Sequence, residues 1–321
     1  MRYASIDIGT NTLRLLIAEL DGDSLRPVIY KRKITRLGGG YDEASGISVE
    51  AAERTFAALS EFRRHIDGAG VTTVLAFATS VVRRAVNREW FTEEVRKKTG
   101  LEVTVIQGCE EARLALMGVL SVIDERQGKK LVVDVGGGST EFIATIGPEM
   151  SGGWSMEMGV VHLTEKYLLS DPPEASELKA MEDEIKGVLE DLRGRMLGDG
   201  IDPLDFSGKR GASFVGTAGT ITTLAAIDQD LEVYDRAKIN NYTLSRERIA
   251  ELYGRLCSMT LGERQTVLSL EKGREDLIVP GSAITLLAME AFGFGEAKVS
   301  DAGLLEGIIL DRIKPGAALK Y

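Results

Sequence analysis

Apolar and polar positions along the chain follow two periods in turn. Residues 2–8, 13–20 and 25–36 are runs of β-formers broken by short polar turns, the pattern of three successive strands. Residues 48–66 then repeat apolar positions at helical spacing, with Ser48 placed to cap the first turn. "TVLAFATS" reads as a strand and "NREWFTEEVRKKTG" as a helix capped by Asn87 and ended by Gly100. "LEVTVI" reads as a further strand, followed by a helix over about 110–124. After the linker-like "DERQGKK" the pattern restarts with strands at 131–135, 140–146 and near 150–158, and helices near 160–169 and 175–196. "DPLDFSGKRGAS" is a loop, and "SFVGTAGTITTLAAI" a strand, a glycine turn and a helix start. Helices near 245–258 and 277–292, a strand at 296–299 and a last helix at 301–313 complete the reading. Strands and helices alternate throughout, which assigns an α/β class.

One unit occurs twice. "RYASIDIGTNTLRLLIAEL" carries Asp7 into the turn Gly9-Thr10-Asn11-Thr12, and "KKLVVDVGGGSTEFIATIG" carries Asp134 into Gly136-Gly137-Gly138-Ser139-Thr140. A repeated hairpin at this separation predicts two similar lobes that face a central cleft and grip one ligand from both sides. The expected boundaries are 1–125, 126–300 and a closing helical segment over 301–321. Glycine turns let backbone amides approach an anion closely, and successive amides form anion-binding nests. Thr10, Asn11, Thr12, Ser139 and Thr140 add side-chain donors, and Gly216-Thr217-Ala218-Gly219 supplies a third turn of the same kind. An aspartate at each strand end suits a divalent cation, which for Mg²⁺ is usually held through water. Neither turn is a P-loop or a dinucleotide fingerprint.

Composition narrows the chemistry. A chain of 321 residues with 44% hydrophobic and 27% charged residues is an ordinary globular composition and suggests about two domains. Its formal net charge of −10 argues against general nucleic-acid binding. No apolar run approaches the ~18 residues of a membrane helix, and no signal-peptide core follows Arg2. Cys109 and Cys257 form neither a disulfide framework nor a metal-ligand spacing, so a reducing, cytoplasmic setting is expected, with Cys109 read as a small packing residue. Only His65 and His162 are present, which leaves carboxylates as base and metal ligands. Two basic clusters, Lys31-Arg32-Lys33 with Arg36 and Arg96-Lys97-Lys98, are candidate tracks for a polyanion.

The ordered series "DIGTNTLRLLIAE", "RLGGG", "FATSVVRRAVN", "GCEEARLALMGV", "VVDVGGGSTEF", "MGVVHLTE", "GTAGTITTLAA", "GREDLIVPG" and "VSDAGLLEGII" resembles the exopolyphosphatase / guanosine pentaphosphate phosphohydrolase (Ppx/GppA) family, in its short two-domain form. That family is part of the actin-like ATPase superfamily. The resemblance implies two actin-like (ribonuclease H-like) lobes and hydrolysis of a terminal phosphoanhydride, with Mg²⁺ or another divalent cation as cofactor. The implied substrate is inorganic polyphosphate or guanosine pentaphosphate, and the implied assembly a homodimer. It assigns Glu111 as the water-activating base, Arg14 and Arg274 as catalytic contacts to the terminal phosphate, and Asp134, Asp7 and Glu141 to the metal. Phosphate would be held by Thr10, Asn11, Thr12, Arg83, Gly136, Gly137, Gly138, Ser139, Gly216, Thr217, Ala218 and Gly219. His162 and Leu305 stand where the family more often has arginine, which implies weaker grip on a polyanion. Glu110 is read as a helix-start residue paired with Arg113, and the Ala115, Gly118, Val122 stripe as a closely packed face. A kinase or ATPase of the same superfamily and a non-catalytic polyphosphate or alarmone sensor are the rival classes.

Overall fold

A computed structural model describes residues 1–22 and 24–313 of the chain. In chain order the elements are β1 (Arg2–Ile8), β2 (Thr12–Asp21), β3 (Ser24–Ile34), α1 (Val49–Gly68), β4 (Thr73–Ala78), α2 (Ser80–Arg84), α3 (Arg88–Thr99), β5 (Val103–Val105), α4 (Gly108–Val122), β6 (Lys129–Val135), β7 (Thr140–Ile146) and β8 (Glu149–Met156). They continue with α5 (Val160–Tyr167), α6 (Ala175–Gly198), β9 (Ser213–Thr217), α7 (Ala218–Asp228), α8 (Arg236–Ile239), β10 (Thr243–Ser245), α9 (Arg246–Cys257), α10 (Leu261–Arg264), α11 (Ile278–Ala291), β11 (Glu296–Val299) and α12 (Leu304–Ile313). Two units result: residues 1–121 with the segment that starts at Gly303, and residues 122–302. Of the closing segment expected over 301–321, residues 314–321 lie outside the described residues.

The duplication is visible in the sheets. In the first unit the order is β3-β2-β1-β4-β5, with β1–β2–β3 antiparallel and β1, β4 and β5 parallel. In the second, β6–β7–β8 form the same meander, β9 and β11 follow in parallel beside β6, and β10 adds an antiparallel edge. Both sheets therefore carry the ribonuclease H-like order.

The first unit buries both faces of β2, which is why that strand reads as a continuous apolar run. Leu13, Leu15 and Ile17 pack with Phe56, Leu59 and Phe62 of α1, while Leu16 and Ala18 pack with Leu305 and Ile309 of α12. The glycine of the Ala115-Gly118-Val122 stripe has a backbone reason: a Cβ at Gly118 would lie 1.8 Å from the Gly303 carbonyl oxygen. Gly307 meets the Leu114 carbonyl just as closely, so α4 and α12 cross with their main chains in contact. In the second unit α11 is buried from Ile278 to Met289, apolar on every side, as a helix inside a core must be. Ser48 caps α1 by accepting from the Ala51 amide at 3.3 Å, and Gly100 ends α3 in the left-handed region at φ 68°.

Four readings change. The "TVLAFATS" strand ends at Ala78, and Ser80–Arg84 is a short helix. "LEVTVI" shortens to Val103–Val105. Asn87 does not cap α3; its carboxamide pairs with both main-chain groups of Ile47, donating at 2.8 Å and accepting at 3.0 Å. The loop "DPLDFSGKRGAS" contains two short 3-10 turns. Among the described residues no helix is long and apolar enough to cross a membrane.

Candidate active site

In the first unit the expected residues follow the carboxyl ends of three adjacent parallel strands, where open α/β sheets present ligand-binding groups. The β1–β2 turn closes with the Gly9 amide donating to the Thr12 carbonyl at 3.2 Å. The "RLGGG" segment buttresses it: the Gly38 amide donates to Thr10 O at 2.7 Å, and the Thr35 and Arg36 amides both donate to Asn11 O. A Cβ at Gly38 would lie 2.3 Å from the Thr10 methyl, so only glycine fits there. Asp7 is the register partner of Arg14, whose Nε and Nη2 both reach Asp7 Oδ2, at 2.8 and 2.7 Å. Asp7 Oδ1, Thr10 Oγ1 and Asn11 Oδ1 are buried without a hydrogen-bond partner among the described residues. Buried polar atoms left unmatched by the protein are what a ligand or hydrated cation would satisfy.

Arg83 of α2 and Glu111 of α4 form an ion pair, with Nη1 2.8 Å from Oε2 and the two side chains 15% and 12% exposed. The same Nη1 donates to the Ile106 carbonyl at 3.1 Å. Arg83, expected on phosphate, is thus engaged with the carboxylate expected to serve as base. Glu110 makes the expected pair: Arg113 donates to both of its oxygens, at 2.9 and 2.8 Å, and also reaches Asp311 at 2.9 Å.

The second unit repeats the hairpin with a different charge pattern. The Gly136 amide donates to Ser139 O at 3.0 Å, the counterpart of the Gly9 bond. Where Asp7 faces Arg14, Asp134 faces Glu141, and Glu141 in turn faces Ser155 of β8. Asp134 is 9% exposed and Glu141 2%, so two carboxylates share one buried face. Glu141 Oε1 accepts from Ser139 Oγ at 2.8 Å and from Ser155 Oγ at 2.7 Å. The Ser139 hydroxyl, expected on phosphate, therefore orients Glu141. Ser155 was missed at the sequence level; counting the register across the third strand of the meander would have found it. The Gly136 and Gly137 carbonyls accept from the first amides of α5, Val160 to Gly136 at 3.1 Å and Val161 to Gly137 at 2.9 Å.

The third turn runs from β9 into α7. The Thr217 hydroxyl, another expected phosphate contact, donates to the Ala302 carbonyl at 3.0 Å. Ala218 takes φ 68°, a left-handed conformation that costs a non-glycine residue roughly 1–2 kcal/mol and turns the chain sharply into the helix. Arg274 lies directly over the turn, its Nη1 1.8 Å from where a Gly219 Cβ would stand.

Several other expectations resolve differently. Arg32 is the register partner of Arg14, extending that row across β3, whereas Lys33 points to the other face and pairs with Glu61 at 3.0 Å. Arg96, Lys97 and Lys98 are taken up by Glu93, Glu94 and Glu53. Leu305 sits in the apolar cluster with Leu16, Ala18 and Ile309, and His162 lies 3.8 Å from Glu184. Cys109 is exposed rather than packed. No cluster of three or more His, Cys, Asp or Glu side chains is assembled for a metal among the described residues.

Comparison with known proteins fits this geometry. Residues 16–315 match the Ppx/GppA phosphatase family. The chain is 33% identical over 324 residues to exopolyphosphatase 2 of Mycobacterium tuberculosis, across 96% of this chain and 98% of that protein. It is 32% identical over 323 residues to the bifunctional 3-dehydroquinate synthase/phosphatase of Fusobacterium nucleatum, across 97% of this chain but only 46% of that longer protein. Among solved structures, the Aquifex aeolicus Ppx/GppA member is 33% identical, with a TM-score of 0.80 over 98% of this chain and 97% of its own. An exopolyphosphatase from Cytophaga hutchinsonii is 27% identical, with a TM-score of 0.87 over 98% of each chain. With a family match spanning nearly all of its length and a full-length relative at one-third identity, the chain belongs to the Ppx/GppA phosphatase family.

Proposed function

We propose that this protein is a divalent-cation-dependent exopolyphosphatase, which releases terminal orthophosphate from inorganic polyphosphate by attack of an activated water on the phosphoanhydride. The observation that carries the reading is the Asp134–Glu141 pair. Like charges directly opposite on a sheet destabilise it. A protein that buries two such carboxylates beside a glycine turn gains most when a cation lies against them. The donor set suits Mg²⁺, which is commonly bound by one or two carboxylates with water and substrate phosphate completing its shell. Asp134 and Glu141 would hold it. Bound there, Mg²⁺ would supply neutralisation of charge on the phosphate oxygens.

The remaining steps belong to the chain's own residues. Glu111 accepts the proton of the attacking water. Arg83 holds the Glu111 carboxylate in one orientation through the 2.8 Å bond. Arg14 and Arg274 contact the terminal phosphate, and turn amides at 10–12, 137–139 and 216–219 cradle its oxygens. The same reading takes the enzyme as a cytoplasmic homodimer. Phosphate release is measured from long-chain polyphosphate, guanosine pentaphosphate and ATP, each with and without Mg²⁺, and repeated with Asp134→Asn. Mg²⁺-dependent release from polyphosphate that collapses in the variant is expected. Preferential turnover of guanosine pentaphosphate would reassign the substrate, and an Asp134→Asn enzyme with unaltered rate and Mg²⁺ dependence would remove the metal assignment.

A further inference from the structure

Arg264, the last residue of α10, is 2% exposed, and no carboxylate pairs with it among the described residues. Its guanidinium is held by main-chain carbonyls instead. Nε donates to Leu256 O at the end of α9, at 2.8 Å, and Nη1 donates to Glu275 O at 3.1 Å. Nη2 is buried without a hydrogen-bond partner among the described residues. A buried cation with no carboxylate in contact is costly, and burial, only partly offset by the more distant Asp171 and Asp276 carboxylates, pushes the Arg264 pKa down from the usual arginine value. An apolar side chain of similar length would fill the space without that cost. What it could not do is tie the end of α9 to the main chain at Glu275.

That carbonyl belongs to the residue next to Arg274. On the other side, the Glu275 carboxylate, 6% exposed, accepts from the Gly273 amide at 2.8 Å, and Gly273 takes φ 91°. The Arg274 amide donates to Glu271 O at 3.1 Å. The main chain is thus pinned on both sides of Arg274, and the Arg274 side chain lies against the Gly219 backbone.

We infer that Arg264 is a positioning residue for Arg274: acting through the Glu275 carbonyl, it sets how far the Arg274 guanidinium extends over the Gly216–Gly219 turn. The inference rests on the proposed contact between Arg274 and the terminal phosphate. A merely structural arginine would lower stability and activity regardless of what stands at position 274. The test is therefore a double-mutant cycle on the full chain, with Arg264→Lys, Arg274→Ala and both together. Mg²⁺-dependent release of phosphate from long-chain inorganic polyphosphate and the Tm are measured for each. In the otherwise unaltered protein, Arg264→Lys is expected to lower kcat/KM about tenfold or more, the scale of coupling within a shared hydrogen-bond network. With alanine already at position 274 the further loss should be under about twofold, while the Tm loss is the same in both backgrounds. Equal activity losses in both backgrounds, or an Arg264→Lys enzyme of unaltered kcat/KM, overturn the inference. An Arg274→Ala enzyme of full activity is a different result: it refutes the phosphate contact itself, and the inference falls with it. Should Arg264→Lys fail to fold, Arg264→Gln, which shortens the same side chain and removes its charge, runs the same cycle with the same outcomes.

Discussion

Gly219→Ala puts a methyl group where the Arg274 guanidinium now lies. The new Cβ would be 1.8 Å from Nη1, 2.2 Å from Nη2 and 2.3 Å from Cζ. Ordinary contact between such atoms needs about 3.5 Å, so the guanidinium must withdraw by roughly 1.5 Å. The obstacle is the far end of a flexible side chain and not main chain, so the fold can accommodate the change. Alanine also suits the start of α7 at least as well as glycine, by up to about 1 kcal/mol. Catalytic geometry is less forgiving: a displacement of about 1 Å can cost on the order of 100-fold in rate, or about 2.7 kcal/mol of barrier. The expected enzyme therefore melts within about 1.5 °C of the parent, the shift worth roughly 1 kcal/mol in a chain of this size. It releases phosphate from polyphosphate about 100-fold more slowly. Initial rates at saturating Mg²⁺ with calorimetry on the same samples separate the two effects. A Gly219→Ala enzyme within about threefold of the parent rate would show that the observed placement of Arg274 does not matter to turnover.

Glu111→Gln is expected to lower kcat by about 10²–10⁴-fold, the usual cost of a lost general base, with the Tm little changed. Glu110→Gln should stay within about tenfold, because its two oxygens are spent on Arg113; the opposite ranking in steady-state kinetics would exchange their roles. Gly118→Ala drives a methyl into the Gly303 carbonyl, which is main chain and cannot step aside, so thermal unfolding should show a loss of about 1–3 kcal/mol or more. Gly187→Ala in α6, which meets nothing within 4 Å, is the control and should hold or gain stability; equal losses at both positions would refute the crossing of α4 and α12. Cys109 is exposed, whereas burial pushes the Cys257 thiol up to about 11, so at pH 8 almost none of Cys257 is thiolate. A disulfide reagent should titrate one thiol in the native protein and two after denaturation, and rapid reaction of both in the native state would contradict that burial.

Much of the site was legible because hairpins obey counting rules. The two Asp-x-Gly turns fix register, and register alone opposes Asp7 to Arg14 and Asp134 to Glu141. Alternation also separates Arg32 from Lys33, although the basic run "KRK" conceals it. What could not be read was how each donor is spent. Ser139, Thr217 and Arg83 have the chemistry of phosphate ligands, yet their partners are Glu141 two residues on, and the Ala302 carbonyl and Glu111 from distant chain. Side-chain type bounds what a residue can bond, and tertiary placement chooses among the options. The elements α2, α8, α10 and β10, three to five residues each, are too short to establish a period. Asn87 misled because an asparagine before a helix is a good cap by propensity, and the Ile47 main chain offered it two bonds instead of one.

The return of α12 to the first unit has a consequence for synthesis. The first unit is interrupted after Ser121 and resumes only at Gly303, so about 180 residues are translated between its two parts. At 5–20 residues per second that interval is roughly 10–40 s. Throughout it, Leu16 and Ala18 lack the Leu305 and Ile309 side chains that later cover them, and Gly118 lacks its main-chain partner. The second unit is by then synthesised without interruption and needs no later segment of the described chain to complete it. A released chain truncated at Ala302 should accordingly be cut by protease in the first unit and resist it in the second, an order of maturation that runs against the direction of translation.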